Sequence, residues 1–256
     1  MDKAVTSSVT TPASTTLIVG ADPLCAVLES RCTAVGQPVL ALTSAEWLRT
    51  KPQVPSCSLI IEAETGAFAD KCRLLASLPD ELPVLSCAHN ASVLEAAGAM
   101  TNPGRAMGYA CVLPLPESGG TIEIARSPLT IDASAQAAHA FWQSLGMTAV
   151  EVADSPGLVR MRVLACLINE ALSALGESIA TAEDIDRAMR LGTAYPRGPI
   201  EWGRLLGYPA VLGTMQALER EFGEDRYRPA PALRRMALVE EIRASDVRNA
   251  WRTRHG

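Results

Sequence analysis

The sequence predicts an α/β part followed by an all-α part. Short apolar strand patterns alternate with helix patterns from residue 15 to residue 153, an order typical of an α/β sheet. From residue 154 onward the strand patterns stop, and helix patterns with capping residues follow one another. The chain has 256 residues, of which 48% are apolar and 4% aromatic, so we expect two ordinary domains with aliphatic cores.

Charge and cysteine usage exclude several classes of protein. The net charge is −5 and no basic run occurs, which argues against a nucleic-acid partner. No apolar run has the length of a membrane span, and the N-terminus lacks the apolar segment of a signal peptide. The seven cysteines include no C-x-x-C pair and mostly lie in apolar segments, as reduced thiols do. We therefore expect a cytoplasmic protein with no metal site and no membrane contact.

The first recognisable unit is a β-α-β pattern over residues 17–42, a length typical of dinucleotide-binding, Rossmann-like domains. The first turn of such a unit carries G-x-G-x-x-G, and here only Gly20 remains. Asp22 places a negative charge where the second glycine would let the backbone approach a pyrophosphate, although an N-cap is its alternative role. The acid expected for the ribose hydroxyls is replaced by Thr43. Tight NAD binding in the usual pose is therefore not expected.

The all-α part predicts five helices. Ser155 and Pro156 suit the cap and the first position of a helix over 158–175, whose apolar residues cover nearly all sides and predict a buried helix. A second helix is capped by Thr181 and ends at Gly192. The remaining helices are predicted over 200–206, 209–222 and 231–242.

Several motifs of residues 154–236 occur in an order that resembles the C-terminal helical domain of the 3-hydroxyacyl-CoA dehydrogenases. They are Asp154-Ser155-Pro156-Gly157, Asn169-Glu170-Ala171, Ala182-Glu183-Asp184-Ile185-Asp186, Tyr195-Pro196-Arg197-Gly198-Pro199 and the segment 222–229. The resemblance is greatest to the second half of the two-module 3-hydroxyadipyl/3-hydroxybutyryl-CoA dehydrogenases of bacterial aromatic-acid breakdown. It implies a reduced Rossmann-like domain before a helical domain of the 6-phosphogluconate-dehydrogenase C-terminal type.

This resemblance suggests a division of the chain into four segments. They are a disordered lead over 1–14, the reduced Rossmann-like domain over 15–153, the helical domain over 154–243 and a charged tail over 244–256.

The resemblance also implies which residues form the site. Glu62 and Lys71 match two polar positions on the cofactor side, where Gly20 also lies, although a strand-end carboxylate and a solvated lysine are the plain alternatives. Glu123 matches the glutamate that orients the catalytic histidine of the family, but that histidine maps to Ala110.

Two further departures concern the groups that polarise the substrate oxygen. The asparagines of the family map to Leu113 and Met161. His89 follows the fourth predicted strand and is a candidate general base displaced from the usual position and paired with Glu123. The alternative for His89 is a histidine on a surface loop.

The function implied by the resemblance is NAD-linked oxidation of the 3-hydroxyl group of acyl-CoA thioesters, in fatty-acid or aromatic-acid breakdown. We expect reduced activity, since loss of an acid–base group costs about 10²–10⁴ in rate and loss of a polarising donor about 10²–10³. One alternative is a non-catalytic protein that pairs through its helical domain, as a homodimer or with an active dehydrogenase. Another is a module that binds acyl-CoA without the redox step.

Overall fold

The structure is a computed structural model that describes residues 14–54, 56–116 and 119–255, with side chains as far as residue 244. The disordered lead predicted over residues 1–14 therefore lies almost wholly outside the described residues. Within the described ranges the strands are β1 Thr15–Gly20, β2 Val39–Thr43, β3 Cys57–Ala63, β4 Val84–Cys87, β5 Ala106–Ala110, β6 Thr121–Ala125 and β7 Thr148–Val152.

The helices of the same ranges alternate with these strands and then follow one another. Those of the α/β part are α1 Leu24–Ala34, α2 Ser44–Thr50, α3 Phe68–Leu75, α4 Val93–Gly98 and α5 Asp132–Ser144. Those of the all-α part are α6 Arg160–Gly176, α7 Ala182–Thr193, α8 Pro199–Leu206, α9 Tyr208–Phe222 and α10 Pro231–His255. This order confirms the predicted fold class, a reduced Rossmann-like domain followed by a helical domain.

The strands form one sheet in the order β2-β1-β3-β4-β5-β6-β7. All neighbouring strands are parallel except β5 and β6, which are antiparallel. Successive side chains of a strand point to opposite faces, so Leu17 and Val19 pack with α2, α3 and α4, whereas Ile18 packs on the other face with α1 and α5. The core on the Ile18 face continues into α6, α8, α9 and α10, which joins the two domains through one apolar interior.

Helix α6 differs from its prediction in two ways. It begins at Arg160 rather than near Pro156, because residues 156–159 form turns and Leu158 has a left-handed backbone with φ of 47°. It is buried on one side only, and Val163 on the other side is 54% exposed. The predicted all-round burial was wrong because α6 covers the sheet edge and the other helices with one face alone.

Two helix ends also differ from their predictions. Gly192 lies inside α7, and Ala194 takes the left-handed cap position with φ of 55°. Helix α10 was expected to end at Ile242, yet it continues to His255 through the segment predicted as a charged tail. The other predicted ends hold, with Gly207 after α8 and Gly223 as the left-handed cap of α9.

The helical domain sits directly on the loops that follow β3 and β4. A Cβ added to Gly213 in α9 would come within 3.0 Å of the Thr65 carbonyl oxygen and 3.1 Å of the Gly66 carbonyl oxygen. The backbone N–H of Gly157 donates to the Ala88 carbonyl oxygen at 2.6 Å. The two domains are therefore in close contact at the carboxyl edge of the parallel strands.

Replacing Gly213 by alanine tests this contact. Because the neighbouring atoms are backbone carbonyls that cannot rotate away, Gly213→Ala should lower the free energy of unfolding by about 1–3 kcal/mol. The matched control is Gly192→Ala, since Gly192 lies inside α7 with nothing near the added Cβ and should gain about 0.5–1 kcal/mol from helix propensity. Urea denaturation measures both, and equal effects of the two substitutions would contradict the close contact.

Candidate functional site

The predicted site residues lie at one edge of the sheet. The carboxyl ends of the parallel strands β1 to β5 meet there, and ligands of open α/β sheets bind outside this edge. The first residues of β6 reach the same edge because β6 runs antiparallel to β5. Glu62, His89 and Ala110 come from ends of β3, β4 and β5, and Glu123 comes from β6.

Gly20 ends β1 directly beside Ala63, the last residue of β3. A Cβ on Gly20 would come within 2.6 Å of both the Cβ atom and the carbonyl oxygen of Ala63. Packing between the strands is thus sufficient to require glycine at this position. Its role in holding a cofactor stays a prediction.

Glu62 and Lys71 form an ion pair, and both side chains are completely buried. Ser86 Oγ donates to Glu62 Oε2 at 2.6 Å, and the backbone N–H of Glu64 donates to Glu62 Oε1 at 2.5 Å. Burial raises the pKa of the Glu62 carboxyl, and the Lys71 ammonium opposes that rise. The alternative of a solvated lysine is therefore wrong, because α3 carries Lys71 over the sheet, where Glu62 neutralises it.

His89 is 4% exposed, so the alternative of a surface-loop histidine is also wrong. Neither of its imidazole nitrogens makes a hydrogen bond of ordinary geometry with a described residue. Burial lowers the pKa of His89 to about 4; the nearby backbone of Cys111 opposes this shift, and the positive charge of Lys71 adds to it. His89 is therefore a neutral imidazole at pH 7, buried just after the end of β4.

Glu123 caps helix α6 across the domain boundary. Its carboxylate accepts hydrogen bonds from the backbone N–H groups of Val159 at 2.9 Å and of Arg160 at 3.1 Å, and from Arg160 Nε at 3.2 Å. These contacts replace the Ser155 cap that the sequence predicted. The proposed pair of His89 and Glu123 is not formed, because no hydrogen bond joins them and Glu123 instead holds the N-terminus of α6.

The position that corresponds to the family's histidine is nevertheless next to Glu123. Ala110 is the residue directly opposite Glu123 in the antiparallel pair of β5 and β6. Side chains at such positions have Cβ atoms about 4.5–5.5 Å apart. The strand register would therefore bring a histidine at position 110 next to Glu123, whereas this chain has the methyl group of Ala110 there.

A cavity of about 670 Å³ lies over the ends of β1 and β3, where a Rossmann-like domain would bind NAD. Its described lining includes Gly66 and Pro209 and carries five carboxylate side chains, with no lysine or arginine among the described residues; the acids are Asp22, Glu64, Asp70, Glu240 and Glu241. Asp22 is not the N-cap of α1, since that position is Pro23, which makes no side-chain cap hydrogen bond.

These residues do not fit NAD in the usual pose. A pyrophosphate needs backbone N–H groups and positive charge, whereas carboxylates repel it. Thr43, at the position expected to hold the ribose, is already engaged as the capping partner of Glu46 in α2. The doubt that the sequence raised about the glycine loop thus extends to the whole lining of the cavity.

A second cavity, of about 520 Å³, lies on the other side of the same edge. We call it the apolar groove. It is bounded by the segment after β5, the start of β6, helix α6 and the segment from α7 to α8; its walls include Val112, Pro114, Leu115, Thr121, Arg160, Val163, Leu164, Leu167, Tyr195 and Trp202. The sequence does not reveal this groove, because its walls come from both domains and no local motif marks them.

Two further properties concern residues 14–54, 56–116 and 119–255. None of their helices has both the length and the apolar character of a membrane span. No group of three or more histidine, cysteine or acidic residues among them is arranged to hold a metal ion.

Comparison with known proteins assigns the architecture to a family. Residues 157–251 match the family model of the 3-hydroxyacyl-CoA dehydrogenase C-terminal domain. The chain is 42% identical over 123 residues to a 3-hydroxyadipyl-CoA dehydrogenase of Escherichia coli K12. The matched residues make up 48% of this chain and 26% of that protein. The chain is 31% identical over 188 residues to a 3-hydroxybutyryl-CoA dehydrogenase of Clostridioides difficile, covering 72% of this chain and 66% of that protein.

The fold agrees with these sequence matches. The crystal structure of an (S)-3-hydroxybutyryl-CoA dehydrogenase from Ralstonia eutropha superposes with a TM-score of 0.68 at 25% identity, covering 89% of this chain and 94% of that one. A helical domain of this type, joined to a sheet of this order, defines the class of two-domain dehydrogenases. The chain belongs to the 3-hydroxyacyl-CoA dehydrogenase family, although it spans less than two thirds of the length of the two sequence relatives named above.

Burial of His89 makes a prediction about pH. Its pKa is about 4 in the folded chain and near 6.5 when unfolded, so the unfolded chain binds more protons between these values. His89 therefore contributes stability above pH 6.5 that is lost as the pH falls to 4, by about 3 kcal/mol.

The measurement is urea denaturation between pH 7 and pH 4 for the native chain and for His89→Gln. The difference between the two proteins isolates the histidine from carboxylates that titrate in the same range. We expect the native chain to lose about 3 kcal/mol more than the variant. Parallel losses in the two proteins would show that the pKa of His89 is not lowered in the folded chain.

Proposed function

We propose that this chain takes part in the family's reaction, the NAD-linked interconversion of 3-hydroxyacyl-CoA and 3-oxoacyl-CoA thioesters, as a slow dehydrogenase that retains the thioester-binding cleft and, because of its acidic cavity, binds the dinucleotide only weakly. The observation that carries this proposal is the register of Ala110 opposite Glu123 beside the apolar groove. The scaffold of the site remains, while the group that would move the substrate proton is missing.

The residues of this chain supply orientation rather than proton transfer. Glu123 holds the N-terminus of α6 and the Arg160 side chain at the edge of the groove. Lys71, Glu62 and Ser86 tie α3, β3 and β4 together beneath the same edge. No described histidine stands within hydrogen-bonding reach of Glu123, so an acid–base group is lacking where the chemistry needs one.

A second candidate function is a non-catalytic partner of an active dehydrogenase or of a second copy of this chain. The acidic cavity over β1 and β3 favours it, because a protein without a dinucleotide has no need of phosphate-binding groups. Exposed apolar side chains on the helical domain, Ile179 and Leu191 among them, also favour pairing. Absence of any thioester-dependent turnover or binding would select this function.

Turnover of the native chain tests the proposal directly. Oxidation of NADH with acetoacetyl-CoA at high protein concentration should be dependent on the thioester and slower than about 0.1 per second, since ordinary enzymes reach 1–10³ per second and an acid–base group is worth about 10²–10⁴. A rate in the ordinary range would contradict the assignment of a missing base.

Restoring a histidine should raise that rate. Ala110→His places an imidazole opposite Glu123, and we expect acetoacetyl-CoA reduction to increase by about 10²-fold or more. Ala110→Gln is the control of similar size that cannot carry a proton, and Ala110→His combined with Glu123→Gln should fall back towards the native rate. A folded Ala110→His protein, checked by circular dichroism, that shows no gain would mean that the groove does not present the substrate to this position.

Removing a charge from the acidic cavity should improve NADH binding. Asp22→Gly both restores a glycine and removes a carboxylate near the expected pyrophosphate, so we expect the Kd for NADH to fall about tenfold. The control is Glu29→Gln, which removes one charge from an exposed position of α1 outside the cavity. Fluorescence titration of NADH measures both, and equal Kd values for the two variants would show that the cavity is not the nucleotide site.

A further inference from the structure

The apolar groove begins beside Glu123. Arg160 lines the groove and donates through Nη2 to the Thr121 carbonyl oxygen at 2.8 Å, while its Nε donates to Glu123 at 3.2 Å. The guanidinium group is thus held in place by acceptors from β6. At this end the groove has polar atoms next to the position where the family's chemistry takes place.

From Arg160 the groove follows helix α6 as far as Leu167. The seven residue steps from Arg160 to Leu167 span about 10 Å, and the intervening wall residues Val163 and Leu164 are apolar. Trp202 lines the groove near Leu167, because its neighbour Gly203 packs against Ile168, with an added Cβ coming within 3.2 Å of the Ile168 side chain. The groove therefore has polar atoms at one end and an aromatic side chain at the other.

We propose that the apolar groove holds the acyl chain of the thioester, that it is built for an unbranched chain of about eight carbons, and that Trp202 sets this length. An extended hydrocarbon chain advances roughly 1.3 Å per carbon, so about eight carbons fill the 10 Å between Arg160 and Leu167. A four-carbon chain would leave the half of the groove nearest Trp202 unfilled.

The shape and chemistry of the groove favour an acyl chain over other occupants. Its walls come from three sides and from both domains, so it is concave rather than flat, as small-molecule sites are. Val159 and Val163 are 51% and 54% exposed, and a bound chain would cover both. An acyl thioester also has its polar group at one end only, matching the groove's polar end. This inference rests on the proposed function, since it assumes that a CoA thioester is the ligand.

Calorimetric titration with butyryl-CoA and octanoyl-CoA tests the chain-length selectivity. Each buried CH₂ group contributes about 0.8 kcal/mol, or about a fourfold change in Kd, so octanoyl-CoA should bind on the order of 100-fold more tightly than butyryl-CoA. Free CoA serves as the reference for the contribution of the nucleotide part.

Two variants locate this selectivity in the groove. Val163→Asp introduces a charge at a solvent-accessible wall position, where folding is not at stake, and should reduce the advantage of octanoyl-CoA over butyryl-CoA to less than tenfold. Leu191→Asp is the matched control, since Leu191 is an exposed apolar residue of α7 outside the groove. Trp202→Ala should shift the tightest binding from octanoyl-CoA to dodecanoyl-CoA.

The outcomes separate this inference from the proposed function. Equal Kd values for butyryl-CoA and octanoyl-CoA would overturn the inference and leave thioester binding intact. Failure of both thioesters to bind would overturn the proposed function and the inference together. Sedimentation in which Val163→Asp converts a dimer to a monomer, with affinity independent of chain length, would assign the groove to a contact between copies and overturn the inference alone.

Discussion

Two carboxylates, one from each domain, hold the domains of this chain together by accepting hydrogen bonds across the domain boundary. Glu123 of β6 caps the N-terminus of α6, while Asp154, just before α6, accepts hydrogen bonds from the backbone N–H groups of Val93 at 2.7 Å and Leu94 at 3.0 Å in α4. Each carboxylate satisfies helix N–H groups that would otherwise be unpaired and lies at the positive end of a helix dipole. The orientation of the helical domain over the sheet edge depends on these two caps.

This orientation divides the carboxyl edge of the sheet into two regions. Helix α9 lies on the Thr65 and Gly66 carbonyls through Gly213, at the ends of the parallel strands β3 and β4. The acidic cavity remains on the side of β1 and β3, and the apolar groove on the side of β5 and β6. The two regions therefore differ in chemistry, since carboxylates line the cavity and apolar side chains line most of the groove.

The buried ionisable groups follow the same physical logic. Lys71 is tolerated without solvent because Glu62 neutralises it and Ser86 completes the hydrogen bonding of that carboxylate. His89 has no charged partner of this kind among the described residues and remains neutral. Removing one member of the Glu62–Lys71 pair would leave a buried charge, whereas His89 adds the cost of a buried charge only at acid pH.

The sequence by itself determined the fold class and most helix and strand positions, and it predicted the correspondence of Ala110 and Glu123 with family positions. Those properties depend on local periodicity, capping residues and motif order, which are readable along the chain. Only the tertiary structure decided that Lys71 is buried, that Glu123 caps α6 instead of meeting His89, and that an apolar groove lies between the domains. Each of these depends on residues far apart in sequence, because burial and pairing are set by which elements pack together rather than by neighbours along the chain.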